Sequence, residues 1–440
     1  MFVMLEIPRK VAFYTLGCKL NFTETAALMR QCSERGFLCV PFGEPADYVV
    51  INTCSVTHTA DKKSRQAIAK AIKTGGKIIV TGCYAQLRPE EFTTVKNIVL
   101  ITGMAGKEKI IDYLYFLEKG EIKEGTMMHS SIPDTFFPAH SLHERTRAFL
   151  KVQDGCDYHC AYCTVPLARG KSRNPFIREL VDRVKEIAAH GLKEIVLTGV
   201  NTGDFGKTTG ETFYELLQQL IKVDGIERYR ISSIEPELLT EQIVVLVAET
   251  DRIAHHFHLP LQSGSNRILA LMQRRYNKEL YASRIHMIKK YLPYASVGAD
   301  VIVGFPGETD KDFQETFEFV KKEDISYLHV FPYSERPGTK AASMPDKVPY
   351  AEKEARAEEL LKLSVQKKKA FYLKNEGRME KVIFEKKYHK GKMIGFTSNY
   401  IEVESPFNNA FIGEIIPVKL IGVRENGLME ADITGITGDV

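Results

Sequence analysis

AFLKVQDGCDYHCAYC, residues 148–163, decides how this chain is read. Its first six residues have the composition of a short buried strand, and they run directly into a polar loop carrying Cys156, Cys160 and Cys163. Five more strand-like runs follow, EIVLTG, RYRISS, HHFHLP, VGADVIVG and YLHVFPY. Helical patterns lie between them at about 178–190, 211–222, 237–249, 264–273, 278–291 and 309–322. Six consecutive βα units predict an open, partial (β/α)6 TIM-like barrel. The cysteine loop then sits at the C-terminal end of the first strand, where such barrels place their chemistry.

Upstream the same alternation holds. VAFYTL, DYVVINT, KIIVTG and NIVLIT alternate with helical patterns over Glu24–Glu34 and Ala60–Lys73, which predicts a parallel sheet covered by helices. Cys18, Cys54 and Cys83 each end one of these strands, in TLGC, INTC and VTGC. In a parallel sheet all strand C-termini share the edge at which α/β folds bind ligands, so the three thiols are expected to converge. Three buried small residues is the competing reading, and Cys32 and Cys39, which share no such position, read as core thiols. A proline-punctuated stretch, GTMMHSSIPDTFFPAHSLHERTR, sets a boundary near residue 140.

Downstream, Tyr350–Lys374 is rich in Glu, Lys and Ala and predicts a solvated connector helix. Five short runs follow Gly377: EKVIFE, MIGFTS, YIEVE, EIIPVKLIGV and LMEADIT. They predict a small, OB-like β-barrel, a form often used to bind oligonucleotides. The whole is α/β, with domains expected at 1–140, 141–373 and 374–440.

Composition narrows the classes. At 440 residues the chain is long enough for about three domains. No apolar run approaches the roughly 18 residues of a membrane-spanning helix. The start MFVMLEIPRK carries an acid and a proline where a signal peptide needs an apolar stretch, which predicts a cytoplasmic protein with no membrane partner. Net charge, 60 basic against 56 acidic side chains, identifies no partner. Its distribution is more telling: Leu361 to Lys392 holds eleven basic residues against three acidic, and Glu402 to Val440 two against seven.

In a reducing compartment eight cysteines read as metal ligands, catalytic thiols or core residues, not disulfides. Cys156, Cys160 and Cys163 can hold three corners of a metal site without help from the rest of the chain. A structural zinc wants a fourth protein ligand, and no second cysteine pair at finger spacing follows. The spacing therefore favours a [4Fe–4S] cluster with one iron open to a small molecule, against zinc or accidental core cysteines.

CxxxCxxC with Tyr162 before the last cysteine resembles the radical S-adenosylmethionine enzymes. TLGCKLN, INTCSVT, VTGCYAQ and QDGCDYHCAYCTVPLARGKSR, with FHLPLQSGS, DVIVGFPGET and VFPYSERPGT, resemble the methylthiotransferases over nearly the whole chain. The C-terminal part is similar to a TRAM domain. GCKLN, CSVTHTADKKSR and PLARGKSR look most like the branch acting on threonylcarbamoyladenosine at tRNA position 37. The resemblance implies two [4Fe–4S] clusters, one on Cys156, Cys160 and Cys163 and an auxiliary one on Cys18, Cys54 and Cys83. It implies S-adenosylmethionine as cofactor, a radical that takes hydrogen from carbon 2 of the adenine, and transfer of a methylthio group to that carbon. Both clusters must then face one cavity. An electron donor such as flavodoxin or ferredoxin and a tRNA anticodon stem-loop are the implied partners.

Contacts to S-adenosylmethionine are expected from Tyr162, from Asn201 in the loop after the second barrel strand, from Ser232 ending RYRISS, and from Gln262 just past HHFHLP. A satisfied strand-end hydrogen bond is the competing reading for the last three. DVIVGFPGE departs from the superfamily's adenine-binding strand, with Asp300 where a glycine is expected and Glu308 one residue late. For RNA, the alternating run Arg169, Lys171 and Arg173 is expected to hold phosphates beside the flipped adenosine, against a solvated surface run. Lys367, Lys368 and Lys369 with Lys386, Lys387, Lys390 and Lys392 form the larger basic patch, and Tyr388 and Phe396 offer stacking faces, with a core position the competing reading for Phe396. Rival readings keep the chemistry on isopentenyladenosine or on a ribosomal protein side chain, or make the chain a non-catalytic iron–sulfur protein for RNA binding or electron transfer.

Overall fold

The computed structural model describes residues 8–55, 57–128, 131–142, 144–389 and 391–433. Strands β1 (Lys10–Thr15), β2 (Leu38–Val40), β3 (Tyr48–Thr53), β4 (Lys77–Gly82), β5 (Ile98–Thr102) and β6 (Thr126–Met128) form one sheet in the order β2-β1-β3-β4-β5-β6. Every pairing is parallel. All six residues of β3 and all five of β5 are buried, the run of Val, Ile and Leu that a sheet covered on both faces requires. Helix α1 (Lys19–Glu34) starts directly after Cys18, and α2 (His58–Lys73) is capped by the Thr57 hydroxyl. Strands β2 and β6, three residues each, are too short to show in the sequence pattern, and β6 lies inside the proline-punctuated stretch at the domain boundary.

The six central strands are β7 (Ala148–Lys151), β8 (Glu194–Thr198), β9 (Arg228–Ile231), β10 (His256–Gln262), β11 (Ser296–Val303) and β12 (Tyr327–Pro332). They form two parallel three-stranded runs, β7-β8-β9 and β10-β11-β12, joined between β9 and β10 by the isolated bridges Tyr229 with Ile253 and Ser233 with His258. One continuous apolar core fills the space between these strands and their helices, from Ala148 and Leu150 through Leu216 and Leu259 to Val320. The mixed α/β architecture with parallel sheets is as read.

Strands β13 (Met379–His389), β14 (Lys392–Thr397), β15 (Glu402–Pro406), β16 (Ile415–Val423) and β17 (Met429–Asp432) close a five-stranded barrel in the order β13-β14-β15-β17-β16. The helix Tyr350–Lys374 is not the solvated connector expected. It buries Ala357, Leu360, Leu363, Phe371 and Tyr372, and Ser364 Oγ accepts from Leu328 N on β12 at 2.8 Å. Its charged residues cover only the outer face.

Candidate active site

Cys18, Cys54 and Cys83 follow β1, β3 and β4, three adjacent strands of one sheet, at the same edge. Two glycines set how closely their loops approach. Gly17 has φ +95°, and a Cβ on it would stand 2.6 Å from Cβ and Sγ of Cys54. Gly82 has φ +100°, and its Cβ would meet Thr53 O at 2.3 Å. Only glycine tolerates both the left-handed backbone and the contact. Gly17→Ala is therefore expected to displace Cys54, and iron per chain after anaerobic reconstitution should fall from about eight to about four.

Cys156, Cys160 and Cys163 lie in the loop after β7, and each sulfur accepts one N–H. Tyr158 N donates to Cys156 Sγ at 3.4 Å, Val165 N to Cys163 Sγ at 3.4 Å, and Arg274 Nη1 to Cys160 Sγ at 3.0 Å. Burial pushes the Cys156 and Cys163 thiols up to about 12, so sulfur there ionises only against a bound cation. That donor set fits an iron–sulfur cluster.

Cys163 and Tyr162 line a cavity of about 270 Å³ with Gln262, Asp300, Tyr333 and Thr57, the last from the N-terminal sheet region. Gln262 stands at the end of β10 with φ +64°, where the pairing with β11 slips by one residue. Asn201 is 2% exposed, and neither its Oδ1 nor its Nδ2 has a hydrogen-bond partner; the buried Ser232 Oγ has none either. Orphaned polar atoms at strand ends fit a polar ligand that satisfies them, as S-adenosylmethionine would. A larger cleft, about 690 Å³, lies elsewhere, against Arg228, Arg252, Lys381 and Pro417 where the strands begin. No cysteine of either trio lines it.

The expectation that Arg169 and Arg173 hold RNA phosphates is overturned, because both are buried and spent on internal partners. Arg169 Nη1 pairs with Glu24 Oε1 at 3.0 Å and Asp154 Oδ1 at 2.9 Å, and Nη2 donates to Asn21 Oδ1 at 2.6 Å. Arg173 Nη2 pairs with Asp154 Oδ2 at 3.1 Å. Lys107 and Lys151 complete the network at 2.6 and 2.7 Å from Glu24. It joins α1, which begins at Cys18, to the short helix Val165–Arg169 that follows Cys163. Lys171, between the two arginines, is exposed.

In the small barrel Lys386 is exposed, and Lys392 pairs with Glu404. Lys390 and the side chains of Lys387 and Tyr388 lie outside the described residues. Phe396 is not a free face: it stacks on Tyr400 at 5.1 Å and lies under the Arg147 guanidinium. Lys367 donates to Glu323 O at 2.8 Å, Lys368 pairs with Glu402, and Lys369 is exposed. Glu308 accepts from Gly304 N at 2.6 Å and Arg356 at 2.9 Å, a structural use that accounts for its offset position.

Three features escaped the sequence reading. Arg274, in the segment between the two helices that follow β10, reaches Cys160, signalled only by the pair Arg274-Arg275. Arg336, in the loop after β12, makes a buried pair with Asp61 of α2 at 2.5 Å. Asp300 accepts from His258 Nε2 at 2.9 Å and His329 Nδ1 at 3.3 Å, across three adjacent strands. Burial pushes the Asp300 carboxyl up, but these two bonds more than offset it and hold it below the usual carboxylate range.

Comparison with known proteins adds the following. Residues 150–320 match the Radical SAM superfamily and residues 10–103 match Uncharacterized protein family UPF0004. Threonylcarbamoyladenosine tRNA methylthiotransferase MtaB of Bacillus subtilis is 40% identical over 423 residues, covering 93% of each chain. The protein of that name from Aquifex aeolicus is 41% identical over 402 residues, 90% of this chain and 96% of its own. The tRNA-2-methylthio-N(6)-dimethylallyladenosine synthase of Syntrophus aciditrophicus is 35% identical over 396 residues, 87% and 85% of the two chains. Among solved structures, the radical S-adenosylmethionine methyltransferase TsrM of Kitasatospora setae aligns with a TM-score of 0.54 at 12% identity over 76% of this chain and 77% of its own, a likeness of fold.

Proposed function

We infer the reaction from one premise: the chain belongs to the radical S-adenosylmethionine tRNA methylthiotransferase family, and it is an enzyme that uses S-adenosylmethionine and [4Fe–4S] clusters. Its substrate is read as threonylcarbamoyladenosine at tRNA position 37, methylthiolated at carbon 2. What supports this choice is that the relatives at 40–41% identity are named for that nucleoside, while relatives at 34–35% are named for either nucleoside. The observation that carries the chemistry is the pair of cysteine trios, one at the ends of three adjacent strands of the N-terminal sheet and one in the loop after β7, whose Cys163 lines a cavity that Thr57 also borders.

When bound, the cluster on Cys156, Cys160 and Cys163 together with S-adenosylmethionine supplies a carbon-centred radical, and the centre on Cys18, Cys54 and Cys83 supplies the sulfur. The chain's own work is placement. Asn201, Ser232, Gln262 and Tyr162 hold the cofactor with polar groups that have no other duty or that border the cavity. Arg274 orients Cys160 and adds an N–H to its sulfur, a contact that tunes cluster potential. The Arg336–Asp61 pair closes the N-terminal sheet against the barrel and keeps water from the space between them.

The domain division is assigned as 1–140, 141–373 and 374–440, with Lys171, Lys386 and Lys392 the described candidates for contacts to the anticodon stem-loop. Among the described residues no helix is long and apolar enough to cross a membrane. A cytoplasmic enzyme reduced by flavodoxin or ferredoxin follows from the same reading. The test is nucleoside mass spectrometry of bulk tRNA from a deletion strain and from that strain complemented. The 2-methylthio form of threonylcarbamoyladenosine should vanish and return. Loss of the methylthio form of isopentenyladenosine instead would move the substrate, and unchanged tRNA would end the RNA reading.

A further inference from the structure

Asp300 stands where the superfamily's adenine-binding strand carries glycine, and no step of the reaction uses it. It is the centre of a cluster built on three adjacent parallel strands, with His258 on β10, Asp300 on β11 and His329 on β12. Asp300 is registered directly against His329, and His258 against Gly298, two residues before Asp300. All three side chains therefore project from one face of the sheet. The intervening Leu259, Ala299, Val301 and Leu328 belong to the apolar core on the other face. One donor atom from each of the three lies within 4.8 Å of the other two. His258 Nε2 and His329 Nδ1 converge on the same oxygen, Asp300 Oδ1, at 2.9 and 3.3 Å.

Two donors held by one tetrahedral ion at zinc–nitrogen distances stand about 3.4 Å apart, close to the spacing of this cluster. Two imidazoles and a carboxylate are a donor set for zinc or ferrous iron. A ligating imidazole commonly engages its other ring nitrogen with a polar group, which fixes the ring. His258 Nδ1 faces Tyr327 Oη at 3.5 Å, and Tyr327 Oη is bonded to His256 Nε2 at 2.8 Å. Gly298 leaves room for this support, since a Cβ there would stand 2.9 Å from His258 Nδ1. His258 is buried and His329 exposed, so the cluster is anchored on one side and open on the other. Asp300 lines the cavity that holds Cys163 and Gln262. We propose that His258, Asp300 and His329 bind one divalent transition-metal ion, with a remaining position open to a water or substrate oxygen in that cavity. The site shares no ligand with either cysteine trio, so the ion is a third centre beside the two clusters, and it does not depend on which nucleoside is the substrate.

The probe is zinc chloride, added anaerobically to reconstituted holoenzyme whose cysteine trios are already filled, and followed by desalting. Wild type should retain about one zinc per chain while its iron stays at about eight. Two variants test the ligands: His329→Ala, at an exposed position whose loss the fold tolerates, and Asp300→Asn, which keeps the shape of the carboxylate. Each should lower retained zinc by roughly tenfold or more with iron unchanged. X-ray absorption at the zinc edge should show nitrogen and oxygen at about 2.0–2.1 Å and no sulfur. Zinc captured by the cysteines would show sulfur at about 2.3 Å instead, and that result overturns the inference. Wild type that retains no zinc also overturns it, the outcome expected if Asp300 only accepts hydrogen bonds from the two imidazoles. So does zinc retention that is unchanged in both variants.

Discussion

Glu24→Ala is expected to destabilise the folded chain by about 3–5 kcal/mol, the usual cost of removing one partner from a buried ion pair. Glu24 is fully buried, and its two oxygens serve Lys107, Lys151 and Arg169 at 2.6, 2.7 and 3.0 Å. Without it, Lys107 loses its carboxylate partner, and Lys151, Arg169 and Arg173 are left with the single carboxylate of Asp154. Burial alone would push the Glu24 carboxyl up, but Arg169, Lys107 and Lys151 outweigh it and hold it well below the usual range. A depressed folded value means stability that is present at neutral pH and lost as pH falls through that value. Wild type should therefore lose more stability than Glu24→Ala on acidification, and the two should approach each other at low pH. Denaturant midpoints at pH 7, pH 4 and pH 2 read this, with the gap between the two proteins beginning to close below the ordinary glutamate value of about 4.3 and closing further toward pH 2.

The same network ties the helix after Cys18 to the helix after Cys163, so the variant should also be uncoupled. 5′-Deoxyadenosine should still form while methylthio transfer falls by more than the loss of folded protein accounts for. An equal fall in both would make the network a matter of stability alone.

This network also shows where sequence stops being informative. The cysteine trios were legible because strand-end position is a local property: β-branched runs mark β1, β3 and β4, and parallel topology brings their ends together. The alternating run Arg169, Lys171, Arg173 was not, because a basic residue reads the same whether solvated or buried, and Arg169's partner Glu24 is 145 residues away. The connector helix failed for a related reason. Its apolar face is interrupted by Arg356 and Ser364, which are buried and bonded, so its pattern looks polar all round. Strands β2 and β6 are three residues each, too short to show a period.

The Cys18/Cys54/Cys83→Ala triple variant is expected to abolish methylthio transfer while 5′-deoxyadenosine formation persists. The two trios lie on separate elements, the first on the edge of the N-terminal sheet and the second on one loop after β7, so each can be lost without removing the other's ligands. Cys54 is buried against Gly17, and the short Ala side chain fits the same site, so the fold should survive. Iron and acid-labile sulfide should drop from about eight to about four per chain, the count of one four-iron cluster. Cys156→Ala should show the reverse, with no 5′-deoxyadenosine and about four irons retained. The pair of variants separates the sulfur site from the radical site in one assay. If the triple variant kept all its iron, the N-terminal thiols would be core residues and the sulfur would have to come from elsewhere. If it lost radical formation as well, the two centres would be structurally interdependent, with Arg169 and Glu24 the contacts through which one supports the other.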